Sequence, residues 1–141
     1  MTGRAPVLLG LTPGDVEPAS ARGKDPAALA VHERVTPAGR FEARPGRNLS
    51  GERIVWFDYD AHLAIHRLRP APASQQRPER LASPRVEDRR ITLGCVAVDP
   101  VFFDQVVLPT LGSGASLVYI LPEREPVLAG GSPVAASLAA R

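Results

Sequence analysis

The chain has 141 residues, which suits one domain with one core, and its 15 Pro and 12 Gly favour turns over long helices. Its 17 Lys+Arg against 15 Asp+Glu leave a net charge of +2, too balanced for a general nucleic-acid binder. No stretch approaches the ~20 apolar residues of a membrane span, and the run from Pro6 to Leu11 is too short for a signal-peptide core.

Along the chain, Val7-Leu8-Leu9-Gly10-Leu11 predicts a short buried strand and Thr12-Pro13-Gly14-Asp15 a turn. Ala27 to Ala30 suits a helical turn. Thr36-Pro37-Ala38-Gly39-Arg40-Phe41 reads as a turn feeding a strand, because Pro presets φ and Gly takes conformations other residues resist. Arg44 to Arg53 is polar and loop-like. Ile54-Val55-Trp56-Phe57 and Leu63-Ala64-Ile65-His66 are the clearest strands, rich in β-branched and aromatic residues. Residues 69–90 carry Pro70, Pro72, Pro78 and Pro84 among Gln, Ser and Arg, which predicts a long polar loop, either a lid or disordered. Asp99-Pro100 opens a short amphipathic helix ending near Leu108. Leu117 to Leu121 is a last strand, stopped by Pro122. Residues 124–141 lack aromatics and read as a flexible tail after a domain spanning 1–123. Many short strands with one or two short helices predict a mainly β (α+β) domain.

Cys95 is the only cysteine, so it forms no internal disulfide. It is either a small buried hydrophobe or a nucleophile, and residues alone leave both open. Gly94 lets the backbone turn beside the thiol. The helix start expected just beyond, with Arg89 and Arg90 near in sequence, would lower the thiol pKa. His62 and His66 are four apart, but Leu63 follows His62 where a metalloprotease has Glu, so no metal site is expected. As a strand, the segment puts His62, Ala64 and His66 on one face and Leu63 and Ile65 on the other. Lys24 is the only lysine, so the positive charge is otherwise guanidinium, suited to bidentate carboxylates or phosphates or simply solvated in loops.

Three pieces in order, Thr36-Pro37-Ala38-Gly39-Arg40-Phe41, Ile65-His66 and Thr92-Leu93-Gly94-Cys95, resemble the L,D-transpeptidase catalytic domain, the YkuD-like family. The resemblance runs from about Thr36 to Glu123, and Val118-Tyr119-Ile120-Leu121-Pro122 fits its last strand. It implies a mixed β-sandwich with one or two short helices, with Cys95 as nucleophile and His66 as base. It also implies oxyanion or orienting roles for Gly94 and Thr92 and substrate contacts from Arg67 and Arg90, while the arginines of the 77–90 loop either meet the stem's carboxylates or are simply solvated. No cofactor is implied. The implied chemistry is acyl transfer on peptidoglycan stem peptides through a thioester on Cys95, in the periplasm or cell envelope.

The chain departs from the family pattern at Leu93, Arg67 and Ala97, where the family usually has His or Lys, Gly or Ser, and Arg or Asn. Its interval from His66 to Cys95 is longer, and the surplus is the Pro/Arg-rich loop. Arg4 to Leu11 looks like the second strand of the family's opening hairpin. Either the first strand and a signal peptide lie upstream of Met1, as expected for an exported protein, or the chain is a shortened homologue, in which a missing strand would leave unpaired backbone on the neighbour. Two other readings stand beside acyl transfer to an amine. One is a wall-binding or structural homologue that lost activity. The other is a thiol hydrolase or acyltransferase with another acceptor.

Overall fold

Among the described residues, alternating apolar positions give seven short strands, and hydrogen bonding joins them into one mixed sheet. The computed structural model describes residues 3–13 and 23–122. The strands are β1 (Val7–Gly10), β2 (Gly39–Arg47), β3 (Arg53–Asp58), β4 (Leu63–Arg67), β5 (Arg90–Thr92), β6 (Val96–Val98) and β7 (Ser116–Ile120). Their order across the sheet is β5-β1-β6-β4-β3-β2-β7. β1 with β5 and β4 with β6 run parallel, and the other neighbours run antiparallel. The architecture is mainly β, as the strand-rich sequence predicts.

The two faces of the sheet are covered differently. On one face lie Val7, Phe41, Val55, Phe57, Leu63, Ile65, Val96, Val98, Val118 and Ile120, the main core. A helical segment seals it: α2 (Pro100–Phe102), a π-helical stretch (Phe103–Val107) and α3 (Leu108–Leu111) run on without a break. Asp99 caps it by accepting from the Val101 and Phe102 amides at 2.8 and 3.3 Å. Pro109 in α3 cannot donate to the turn before it, and the wide π turn lies where that bond is missing. Phe103 is fully buried, and Phe41 meets Phe57 edge-on at 5.4 Å. On the other face Leu8 and Ala97 pack under Leu81 of a third helix, α1 (Arg77–Ala82).

Four sequence expectations are corrected here. The polar stretch from Arg44 is strand rather than loop as far as Arg47, then a turn, with β3 starting at Arg53. Pairing overrides composition, since β7 covers β2 only as far as Ala43 and leaves Pro45 where one neighbour suffices. Residues 69–90 form a folded cap. Its turns are tied by Arg80 to the Gln75 and Asp88 carbonyls, by Arg89 to the Ser83 carbonyl and by the Ser83 hydroxyl to Asp88. The strand at Val7 has no orphaned edge either: β5 pairs with it on one side and β6 on the other. Finally, β6 separates Cys95 from the helix start, so Asp99 and Pro100 stand at the far end of that strand from the thiol. The tail predicted for 124–141 lies outside the described residues.

Gly10, at the end of β1, passes so close to residues 34–36 that a methyl group there would stand 2.5 Å from the Arg34 carbonyl oxygen and 2.8 Å from the Thr36 nitrogen. Both are backbone atoms that cannot swing aside. Gly10→Ala should therefore destabilise the fold by roughly 1–3 kcal/mol, the usual cost of overpacking, read as a lowered urea midpoint at unchanged slope.

Candidate functional site

The register of three strands brings the two candidate catalytic residues to one face. Ile65 pairs with Val96 and His66 with Ala97, so the residue before β6, Cys95, lies beside Ala64. Alternation then puts Ala64, His66, Cys95 and Ala97 on the face that α1 partly covers, opposite the main core. Trp56 pairs with Ala64 from the other side. A row Trp56–Ala64–Cys95 thus crosses the sheet, with the smallest side chain in the middle as the floor of a groove. The exposed Tyr59 meets Trp56 edge-on at 5.1 Å and extends that aromatic wall. Trp56 carried no functional signal in the sequence beyond its strand.

The cysteine turn is held by two threonine hydroxyls. Thr92 Oγ1 donates to the Cys95 carbonyl at 2.7 Å and accepts from the Gly94 amide at 3.1 Å. Thr36 Oγ1 donates to the Gly94 carbonyl at 2.7 Å and accepts from the Gly10 amide at 2.9 Å. Gly94 has φ +131, and a Cβ there would stand 2.7 Å from Leu63 Cδ2 and 2.8 Å from the Val35 oxygen. The expected oxyanion and orienting roles are corrected accordingly. The Gly94 N–H is spent on Thr92, and Thr92 orients the turn rather than His66. Thr36, read in the sequence as part of a turn and as the start of the Thr-Pro-x-Gly piece, is the residue that pins the turn to β1.

His66 is 5 % exposed. Its Nδ1 lies 2.7 Å from the Arg67 carbonyl oxygen. A carbonyl only accepts, so Nδ1 carries the proton and the neutral ring keeps its lone pair on Nε2, the tautomer a general base needs. The backbone of residue 67 does the orienting, so an arginine side chain there changes nothing at the ring. That side chain leaves by the opposite face. The Arg67 guanidinium lies 4.4 Å over the Phe103 ring, binds Asp104 and donates to the Arg53 carbonyl at 3.2 Å. Arg90 also departs from expectation. It pairs with Leu9 on the main-core side, while Ile91 turns toward α1. Neither arginine proposed for substrate faces the groove.

Electrostatics leave both reactive groups neutral. Burial pushes His66 down to about 4; the Arg67 carbonyl opposes that, while Arg69 and Arg77 push further down and Glu52 pulls up. Burial likewise pushes the Cys95 thiol up, against the Ala64 backbone and the Arg69 charge. An imidazolium–thiolate pair is therefore not the resting form. The thiol donates to the His62 carbonyl at 3.4 Å. His62 itself is corrected out of β4: it sits exposed in the preceding turn at φ +57, its amide bound to the Tyr59 carbonyl at 3.0 Å. Its backbone, not its ring, serves the site.

Among the described residues no group of three or more His, Cys, Asp or Glu is placed to hold a metal ion, and no helix is long and apolar enough to cross a membrane. No family model, no curated protein and no solved structure matches this chain.

The His66 shift has a stability consequence. Unfolded, the ring takes its proton near 6.5; folded, it takes it only near about 4. Between those values the unfolded chain binds more protons, so stability is whole above the upper value and falls as pH drops toward the lower. Between about pH 7 and pH 3.5 the wild type should lose about 3 kcal/mol more than His66→Gln, measured by urea unfolding across that range.

Proposed function

We propose that this chain is a cysteine-dependent acyltransferase of the L,D-transpeptidase type, with the mixed β-sandwich of that family, acting on peptidoglycan stem peptides. The observation that carries the reading is the pairing of β4 with β6. It sets His66, with its Nε2 lone pair available, on the same face as the thiol of Cys95. On this reading the protein works in the periplasm or cell envelope.

The mechanism starts from a neutral pair. Bound donor displaces the thiol from the His62 carbonyl toward His66. Nε2 takes the thiol proton as Sγ attacks the peptide carbonyl carbon. The tetrahedral intermediate collapses, its C–N bond breaks, and the His66 proton goes to the departing amine of the terminal D-alanine. The acyl group is left as a thioester on Cys95. An acceptor amine then gives a proton to Nε2 and attacks the thioester carbon. Sγ leaves and recovers the proton. Water in place of the amine makes the same site a hydrolase.

A second reading, a homologue of this fold that binds wall peptides without turnover, is favoured by the resting thiol's bond to the His62 carbonyl. Intact mass separates the two. Incubation with an activated stem-peptide analogue should add one acyl mass to the wild type and none to Cys95→Ala. His66→Gln should acylate about 100- to 10,000-fold more slowly, the usual worth of a general base. The wild-type rate should hold level down to about pH 5 and fall only as His66 protonates near about 4, rather than near 6.5. A folded wild type that takes up no acyl group supports the binding module instead.

A further inference from the structure

Two arginines stand over the groove at its histidine end: Arg69, which the sequence did not single out, and Arg77, the first of the arginines in the 77–90 loop. Arg69 follows Leu68, whose amide bonds to the Val98 carbonyl at 2.7 Å and holds the chain beside β6. Its Nε donates to Glu52 Oε2 at 2.9 Å, and Glu52 is itself steadied by Asn48 Nδ2 at 3.0 Å. Arg77 opens α1, one helical turn before Leu81, and so shares the helix side that packs over Ala97 and Leu8. Ala97 is the register partner of His66. Arg77 Nε donates to Gln75 Oε1 at 2.7 Å. Each guanidinium is thus tethered through Nε, and among the described residues its two Nη groups donate to no protein acceptor. Both charges are felt at His66, and that of Arg69 at Cys95 as well.

We propose that Arg69 and Arg77 are specificity-determining residues that bind a carboxylate of the acyl donor and so align its carbonyl over Cys95. A tethered guanidinium presents a fixed fork whose geometry matches a carboxylate, with little side-chain freedom left to lose. The assignment rests on the acyl-transfer reading for the donor's identity.

Alkylation of Cys95 tests it without needing turnover. Iodoacetate and iodoacetamide deliver nearly the same group to sulfur with loss of iodide, and only the first carries a carboxylate. Normalised to the same ratio for N-acetylcysteine, Cys95 in the full chain should prefer iodoacetate by roughly tenfold, the worth of one charge-assisted hydrogen bond. Arg69→Gln and Arg77→Gln should each lose much of that preference, and the double variant all of it. Arg69→Gln also removes a charge that favours the Cys95 anion and so slows both reagents together, which is why the preference is read as the ratio within each variant. The iodoacetamide rate of Arg77→Gln should stay at the wild-type value, which shows the fold and thiol intact. Arg69→Lys should keep part of the preference. No preference in the wild type, a preference that survives the double variant, or a thiol closed to both reagents would overturn the assignment. A preference that behaves as described in a protein that never forms a thioester would refute the transferase reading and leave the carboxylate site standing.

Discussion

One hydroxyl holds the groove together. Thr36 Oγ1 accepts from Gly10 at the end of β1 and donates to Gly94 beside the cysteine. It is 6 % exposed, so neither bond is replaced by water if lost. The glycines on either side of it lack side chains because there is no room: a Cβ on either would stand under 3 Å from backbone oxygen, 2.5 Å from that of Arg34 at Gly10 and 2.8 Å from that of Val35 at Gly94. The position of the thiol relative to β4 therefore depends on a contact made far away in sequence. Thr92 finishes the same turn from inside, using its hydroxyl in both directions.

The second constraint is dryness. The folded cap lays Leu81 over Leu8 and Ala97 and leaves His66 almost without solvent. Water that would stabilise an imidazolium is excluded, and partial burial raises the thiol of Cys95, so both groups rest uncharged. Such a pair stores no nucleophile. On the proposed acyl-transfer reading, attack is coupled to proton transfer, and the thiol leaves the His62 carbonyl first. Arg69 acts on the two partners in opposite senses: its charge favours the anion of Cys95 and opposes the proton on His66.

Much of this was legible in the sequence, and the gaps have physical causes. The strands at Val7, Ile54, Leu63 and Leu117 announced themselves by apolar and β-branched runs, and Asp99-Pro100 announced the helix. Thr92-Leu93-Gly94-Cys95 marked the turn, because only glycine tolerates φ +131 there. Arg67 and Arg90 were misread because a single-residue step in a strand flips a side chain to the other face, and the register is a tertiary fact. Residues 69–90 looked like an open loop because their order comes from side-chain bonds to backbone carbonyls, which leave no periodic pattern. Trp56 gave no functional signal, and Thr36 only as the start of a Thr-Pro-x-Gly piece, for the same reason: their roles exist only across strands distant in sequence.

The central claim is that His66 rests as a neutral ring with its proton on Nδ1, ready to accept from Cys95 through Nε2. Nitrogen-15 NMR of the labelled imidazole reads both nitrogens directly. One protonated nitrogen, Nδ1, and one bare nitrogen, Nε2, are expected at neutral pH, with the second proton arriving only near about 4. Two protonated nitrogens at neutral pH, with a thiolate at Cys95, would contradict it.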